Sequence, residues 1–109
     1  VYLDLTAVTR PLYLRSRQPG DTFHPLGAPG RKKLKDFFID EKVPAAERDT
    51  IPLVVDGEGK IVWVVGHRID HSVRVQEHTW AILELSYVNC QRELKYDTIK
   101  QRPHRWKAR

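Results

Sequence analysis

The sequence predicts an α+β domain, mostly antiparallel sheet or sandwich with one or two short helices. Three observations carry that expectation. Apolar residues recur with period two, or in unbroken runs of strand length, over most of the chain. Gly, Pro and Asp clusters punctuate those runs at hairpin-like intervals. Only one stretch, Leu34, Phe37 and Phe38 at i, i+3 and i+4, places apolar groups on a helical face. At 109 residues the chain has the length of one domain. Such a domain buries roughly two-thirds of its unfolded surface.

Val1–Val8 alternates weakly, with Val1, Leu3, Leu5 and Ala7 on one side, and is expected as a strand. Leu12–Arg17 has the same period, placing Leu12 and Leu14 inward and Tyr13, Arg15 and Arg17 together outward. An aromatic in line with two arginines is a composition found on nucleic-acid-contacting faces, and equally on ordinary exposed strands. Gln18-Pro19-Gly20-Asp21 fits a type II turn, with Gly20 at the position that needs positive φ. Asp21 is either a plain turn residue or a partner for Arg17 or Arg31. Phe23, Pro25 and Leu26 lead apolar side chains under the turn from Gly27 to Gly30. The helix that follows ends at Val43-Pro44, because the residue before proline is pushed out of the α region. Pro44 then opens a second short helix through Asp49, which Ile51-Pro52 stops. Leu53–Val55 and Ile61–Val65 are unbroken apolar runs joined by Asp56-Gly57-Glu58-Gly59-Lys60, a hairpin covered on both faces, and Gly66 closes it. Val73 and Val75 alternate with Arg74 as a further strand. Trp80–Val88 makes the last one, with Ala81, Leu83, Leu85 and Tyr87 on one face. Beyond Asn89 the apolar spacing fails. Residues 1–88 are therefore expected as the domain, and 89–109 as a basic, poorly ordered C-terminal arm.

Charge is distributed in blocks. Residues 10–35 carry +6, residues 36–88 carry −5 and residues 89–109 carry +5, around a chain total of +5. Two basic blocks flanking an acidic middle suggest a directed basic face, with chance clustering on a solvated surface as the alternative. The densest basic run is Arg31, Lys32, Lys33 and Lys35, at the start of the aromatic helix. A helix N-terminus prefers carboxylates, so a cationic first turn costs a few tenths to about 1 kcal/mol per lysine unless an anion is bound. Backbone N–H groups and lysines aimed at one spot suit a phosphate. The expectation is that this helix buries its phenylalanines and presents its basic start to a polyanion.

Catalytic and metal chemistry find no support in the residue pattern. His67 and His71 are four apart without the glutamate of a zincin, and the single Cys90 offers no sulfur cluster. Asp70, His71 and Ser72 are neighbours in sequence, whereas triads assemble from distant segments. Gly27-x-x-Gly30-Arg31-Lys32-Lys33 lacks the glycine spacing and the Ser or Thr of a P-loop. Its Gly-x-x-Gly spacing is shared with the KH backbone clamp, but Pro29 makes a bare turn equally natural. No catalytic residue and no metal ligand are expected. The longest apolar runs are only a few residues, so no membrane partner is expected either, and the lone cysteine fits a reducing cytoplasm. The chain has no Met; Val1 follows either a trimmed initiator or a longer upstream segment.

Several motifs occur in one order: Arg17-x-Pro19-Gly20-Asp21, Pro25-Leu26-Gly27, Lys33-Leu34-Lys35-Asp36-Phe37-Phe38, Val43-Pro44, Arg48-Asp49, Ile51-Pro52-Leu53 and Ile61-Val62-Trp63-Val64-x-Gly66. Across roughly residues 8–88 this pattern resembles the C-terminal domain of bacterial tRNA(Ile)-lysidine synthetases. The resemblance implies an α+β domain related in fold to one in the phenylalanyl-tRNA synthetase β subunit. It also implies a parent enzyme that uses ATP to join lysine to the wobble cytidine of isoleucine tRNA with a CAU anticodon. In that family the C-terminal domain contacts the acceptor-stem end of the tRNA. ATP, with Mg, belongs to an N-terminal catalytic domain whose Ser-Gly-Gly-x-Asp-Ser loop this chain lacks, so no cofactor is expected here.

Arg17, Lys33, Lys35 and Arg48 fall on positions of that pattern, while Arg15, Arg31 and Lys32 join them on charge and position. These seven are the expected RNA-binding residues. Arg48 has a rival role, pairing with Asp49, Glu47 or Asp40 to lock the two helices. The expected partners are tRNA and the parent's own catalytic domain, in the cytoplasm. Two other classes stay open: a protein-docking or homodimerisation module using the Phe37–Phe38 helix or the apolar hairpin, and a general nucleic-acid-binding domain.

Overall fold

The structure is a computed structural model and describes residues 1–99. It is α+β, with every strand pairing antiparallel. The chain divides into two compact units, one running Thr9–Ser72 and the other combining Val1–Val8 with the described residues from Val73 onward.

In the Thr9–Ser72 unit the sheet order is β2 (Tyr13–Arg15), β5 (Leu53–Val55), β6 (Ile61–Val64). All seven residues of β5 and β6 are buried, as unbroken apolar runs require. Their connection is built on Asp56, itself only 2% exposed. Its Oδ1 accepts the backbone N–H groups of Glu58 and Lys60, so the buried carboxylate is satisfied by the turn it makes. Gly57 donates its N–H to the Thr9 carbonyl at 2.7 Å, an approach that leaves no room for a side chain.

A two-stranded ribbon, β3 (Thr22–Phe23) and β4 (Lys32–Lys33), leads directly into helix α1 (Leu34–Asp40). The helix buries Leu34, Phe37 and Phe38, as their spacing predicts. The Phe23 ring meets Phe37 edge-on at 5.0 Å, and Leu53, Val55 and Ile61 complete the cluster. The helix stops in a Schellman arrangement. Val43 N–H reaches the Phe38 carbonyl and Lys42 N–H the Ile39 carbonyl, with Lys42 at φ 60. Pro44 precedes a 3₁₀ turn, Ala45–Thr50, where a second short helix is expected.

Strand β2 corrects one expectation. Leu14 is exposed rather than inward, because Arg15 on the alternate side of the strand is tied to Asp21 and turns Leu14 the other way. A second correction concerns Val73–Val75, which form no strand. The Asp70 carboxylate accepts both the N–H and the hydroxyl of Ser72, curling the chain into a 3₁₀ turn, His71–Val73.

In the other unit, β7 (Ile82–Val88) lies between β1 (Tyr2–Asp4) and β8 (Glu93–Ile99). Strand β1 is shorter than the expected Val1–Val8. Asp4 is buried, accepts Thr6 N–H and Thr6 Oγ1, and turns the chain into a 3₁₀ segment, Leu5–Ala7. Leu83 and Leu85 face the interior, as the alternation in Trp80–Val88 predicts. Over Glu93–Ile99 the expected arm is instead a strand, paired residue for residue with β7. Main-chain hydrogen bonds to a neighbouring strand hold this stretch. Positions 100–109 of that expected arm lie outside the described residues.

Candidate nucleic-acid interface

The Gln18–Asp21 turn packs beside the start of α1. Asp21 N–H bonds the Gln18 carbonyl and Gly20 has φ 85, the type II geometry its sequence predicts. The Asp21 carbonyl in turn accepts Leu34 N–H at 2.9 Å. Between turn and helix lies a cleft of about 480 Å³, whose charged walls are Arg17, Asp21, Lys33, Lys35 and Asp49.

Arg15 and Asp21 form the most constrained pair of the site. Two parallel bonds of 2.9 Å join the guanidinium to both carboxylate oxygens, and Gln18 N–H donates to the same carboxylate at 2.7 Å. Burial alone would raise the Asp21 pKa. The Arg15 hydrogen bonds, the Gln18 N–H and the Arg15 charge outweigh burial and hold it below the ordinary carboxylate value. Asp21 thus binds Arg15, not Arg17 or Arg31.

Arg17, two residues beyond the end of β2, meets Asp49 through a single Nε–Oδ1 bond of 2.7 Å. Arg31 donates to the Thr22 hydroxyl at 2.6 Å. Lys32 pairs with Asp40. Arg48 Nε donates to the Val43 carbonyl at 3.0 Å, tying the Ala45–Thr50 turn to the end of α1. That bond gives Arg48 the expected locking role through a backbone carbonyl instead of a carboxylate. Lys33 and Lys35 are exposed and have no hydrogen-bond or ion-pair partner among the described residues.

The seven expected cations therefore do not converge on one spot. The run 31–33 precedes the helix, and only Lys35 lies in its first turn, next to Asp36. Adjacent strand residues point to opposite sides, so Lys33 reaches the cleft while Lys32 turns to Asp40. What the cleft gathers is Arg17, Lys33 and Lys35. Asp49 is the residue that sequence reasoning missed in this role, and no local signal links it to Arg17, 32 residues away.

His24, His67 and His71 pack against rings and carboxylates of the fold. His24 and His71 stack with ring centres 4.6 Å apart, and the Asp70 carboxylate also accepts His24 N–H at 2.8 Å. His67 lies edge-on to Phe37 and Phe38 and 3.6 Å from Glu41. Among the described residues no three His, Cys, Asp or Glu side chains are grouped as a metal site. The Phe37–Phe38 face and the β5–β6 hairpin, the surfaces that a docking module would use, are buried within the domain.

The family model described as the TilS substrate C-terminal domain matches residues 12–86. The tRNA(Ile)-lysidine synthase of Caldanaerobacter subterraneus subsp. tengcongensis is 46% identical over 86 residues, covering 79% of this chain and 18% of that protein. The bifunctional protein TilS/HprT of Listeria monocytogenes serovar 1/2a is 50% identical over 64 residues, covering 59% and 10%. A crystal structure of a TilS C-terminal domain matches with a TM-score of 0.61 at 39% identity, over 68% of this chain and 57% of that one. An N-terminal fragment of the phenylalanyl-tRNA synthetase β-subunit from Pyrococcus horikoshii matches with a TM-score of 0.54 at 19% identity, over 70% and 24%, a likeness of fold alone. The chain spans about a fifth of the length of the tRNA(Ile)-lysidine synthases it matches.

Proposed function

The chain belongs to the family of TilS substrate C-terminal domains, and from that premise we propose that it is the tRNA-gripping part of a tRNA(Ile)-lysidine synthetase. The parent enzyme uses ATP and Mg in an N-terminal catalytic half to join lysine to the wobble cytidine of isoleucine tRNA with a CAU anticodon, in the cytoplasm. This domain contacts the acceptor-stem region and contributes no catalytic group. Lys33 and Lys35, supported by Arg17 and by Arg31 just before β4, bind phosphates of the RNA backbone. Arg15, Lys32 and Arg48 hold the scaffold that presents them.

The observation that carries this reading is the pair of exposed, unpartnered lysines flanking buried Leu34, on the cleft that Arg17 also lines. No carboxylate among the described residues pairs with either ammonium group, so an external anion is their natural complement. Base-paired RNA is recognised largely through shape and backbone, a task suited to cations on a rigid helix start.

The test is tRNA binding by the Lys33→Ala/Lys35→Ala double variant across a salt series. Each lost phosphate contact removes a released counterion, so the slope of log affinity against log salt flattens by about 1.5 for the pair. An unchanged slope refutes the assignment.

A further inference from the structure

We propose that Asp49 is an intramolecular stand-in for an RNA phosphate, occupying Arg17 until a phosphodiester of the bound RNA displaces it. The proposal rests on the reading of the cleft as a phosphate-contact site and adds a residue that regulates it.

The two arginines of this region differ in how they are held. Arg15 is bound through both ends of its fork to a carboxylate whose side chain is 11% exposed. Arg17 is bound by Nε alone to a carboxylate that is 74% exposed. The terminal N–H groups of Arg17 have no partner among the described residues. A guanidinium binds phosphate best through two parallel N–H bonds, so the single-point contact with Asp49 leaves the better contact unmade. An exposed, one-bond ion pair is also weak, so exchange of partner is easily reached.

Placement supports exchange. Arg17 and Asp49 both line the cleft with Lys33 and Lys35. Asp49 sits on the Ala45–Thr50 turn, which Arg48 fastens to the Val43 carbonyl and which Thr50 closes on the Glu47 carbonyl. Its backbone is thereby held at the rim of the cleft while its carboxylate stays in water. Asp21, the other acid of the cleft, is saturated by Arg15 and Gln18 and cannot take this part. An RNA that brings a phosphate to Arg17 replaces Asp49; a polyanion that grips only the lysines leaves Asp49 in place and meets its negative charge.

The experiment is a double-mutant cycle on the full chain, with an unmodified isoleucine tRNA transcript as the probe. Asp49→Asn keeps the size of the side chain and frees Arg17. It is expected to tighten binding about two- to five-fold and to steepen the salt slope by about 1. In the Arg17→Gln background, where only relief of repulsion remains, the same substitution is expected to tighten binding by less than about two-fold and to leave the salt slope nearly unchanged. Equal tightening with and without Arg17 overturns the proposal, because it reports general relief of repulsion, and so does no tightening at all. The Lys33→Ala/Lys35→Ala variant separates this failure from failure of the cleft. If that variant flattens the salt slope while the cycle shows no coupling, Asp49 alone is misassigned. If its slope is unchanged, the cleft reading falls and takes this proposal with it.

Discussion

Replacing Asp21 with Asn tests the cleft wall most directly. The substitution preserves shape but removes the charge that accepts two bonds from Arg15 and one from Gln18 N–H. The new amide also points an N–H₂ group at a donor. Breaking a fully buried ion pair by removing one partner costs about 3–5 kcal/mol. Here the side chains are 25% and 11% exposed, so water recovers part of that and the expected loss is about 2 kcal/mol. With a urea m-value of about 2 kcal/mol/M for a small domain, the unfolding midpoint falls by about 1 M at pH 7. Acid supplies an internal control. The Asp21 pKa is depressed in the folded state, so its contribution is present above the unfolded carboxylate value near ~3.9 and is lost as pH falls through the folded value. The gap between parent and variant therefore closes in acid. A midpoint shift below about 0.2 M at pH 7, or a gap that persists undiminished at pH 2, refutes the reasoning.

Two further predictions concern the scaffold. A Cβ on Gly57 would stand 2.6 Å from the Arg10 carbonyl oxygen, whereas one on Gly59 meets nothing within 4 Å and is opposed only by its φ of +86. Gly57→Ala should cost about 2–3 kcal/mol through overlap and the weakened bond to Thr9, and Gly59→Ala about 1 kcal/mol. Thermal unfolding of both ranks them, and equal melting temperatures contradict the argument. Phe38, fully buried on the inner face of α1, should cost about 3–5 kcal/mol as alanine, measured by urea unfolding, with a loss under about 1 kcal/mol as the contrary result.

The parts of the fold legible in the sequence were those whose signal is periodic and local. The β5–β6 hairpin announced itself by seven apolar residues around an Asp-Gly turn, and α1 by the spacing of Leu34, Phe37 and Phe38. One illegible part depends on a partner far away in the chain. Asp4 ends β1 through Thr6 and through Thr79, 75 positions on, and no window around Val1–Val8 contains that bond. Strand β8 was missed for another reason: Leu94 and Tyr96 do alternate with Glu93, Lys95 and Asp97, but Tyr96 is 70% exposed, and the strand is held by its ladder to the neighbouring β7. The site divides in the same way. The basic run around Lys33 was plain in the composition, but which cation meets which acid was not, since Arg17 finds Asp49 32 residues away and Lys32 finds Asp40.

The antiparallel register of Thr22 with Lys33 has a consequence for how this surface changes by mutation. Two lysines side by side are not interchangeable when one is odd and the other even along a ribbon. A one-residue slip of that register would leave the chain with the same count of positive charges and the same run of basic letters, yet send the wrong ammonium group to each side. Grip on a polyanion here is a matter of parity, and a comparison of related chains by net charge would overlook its loss.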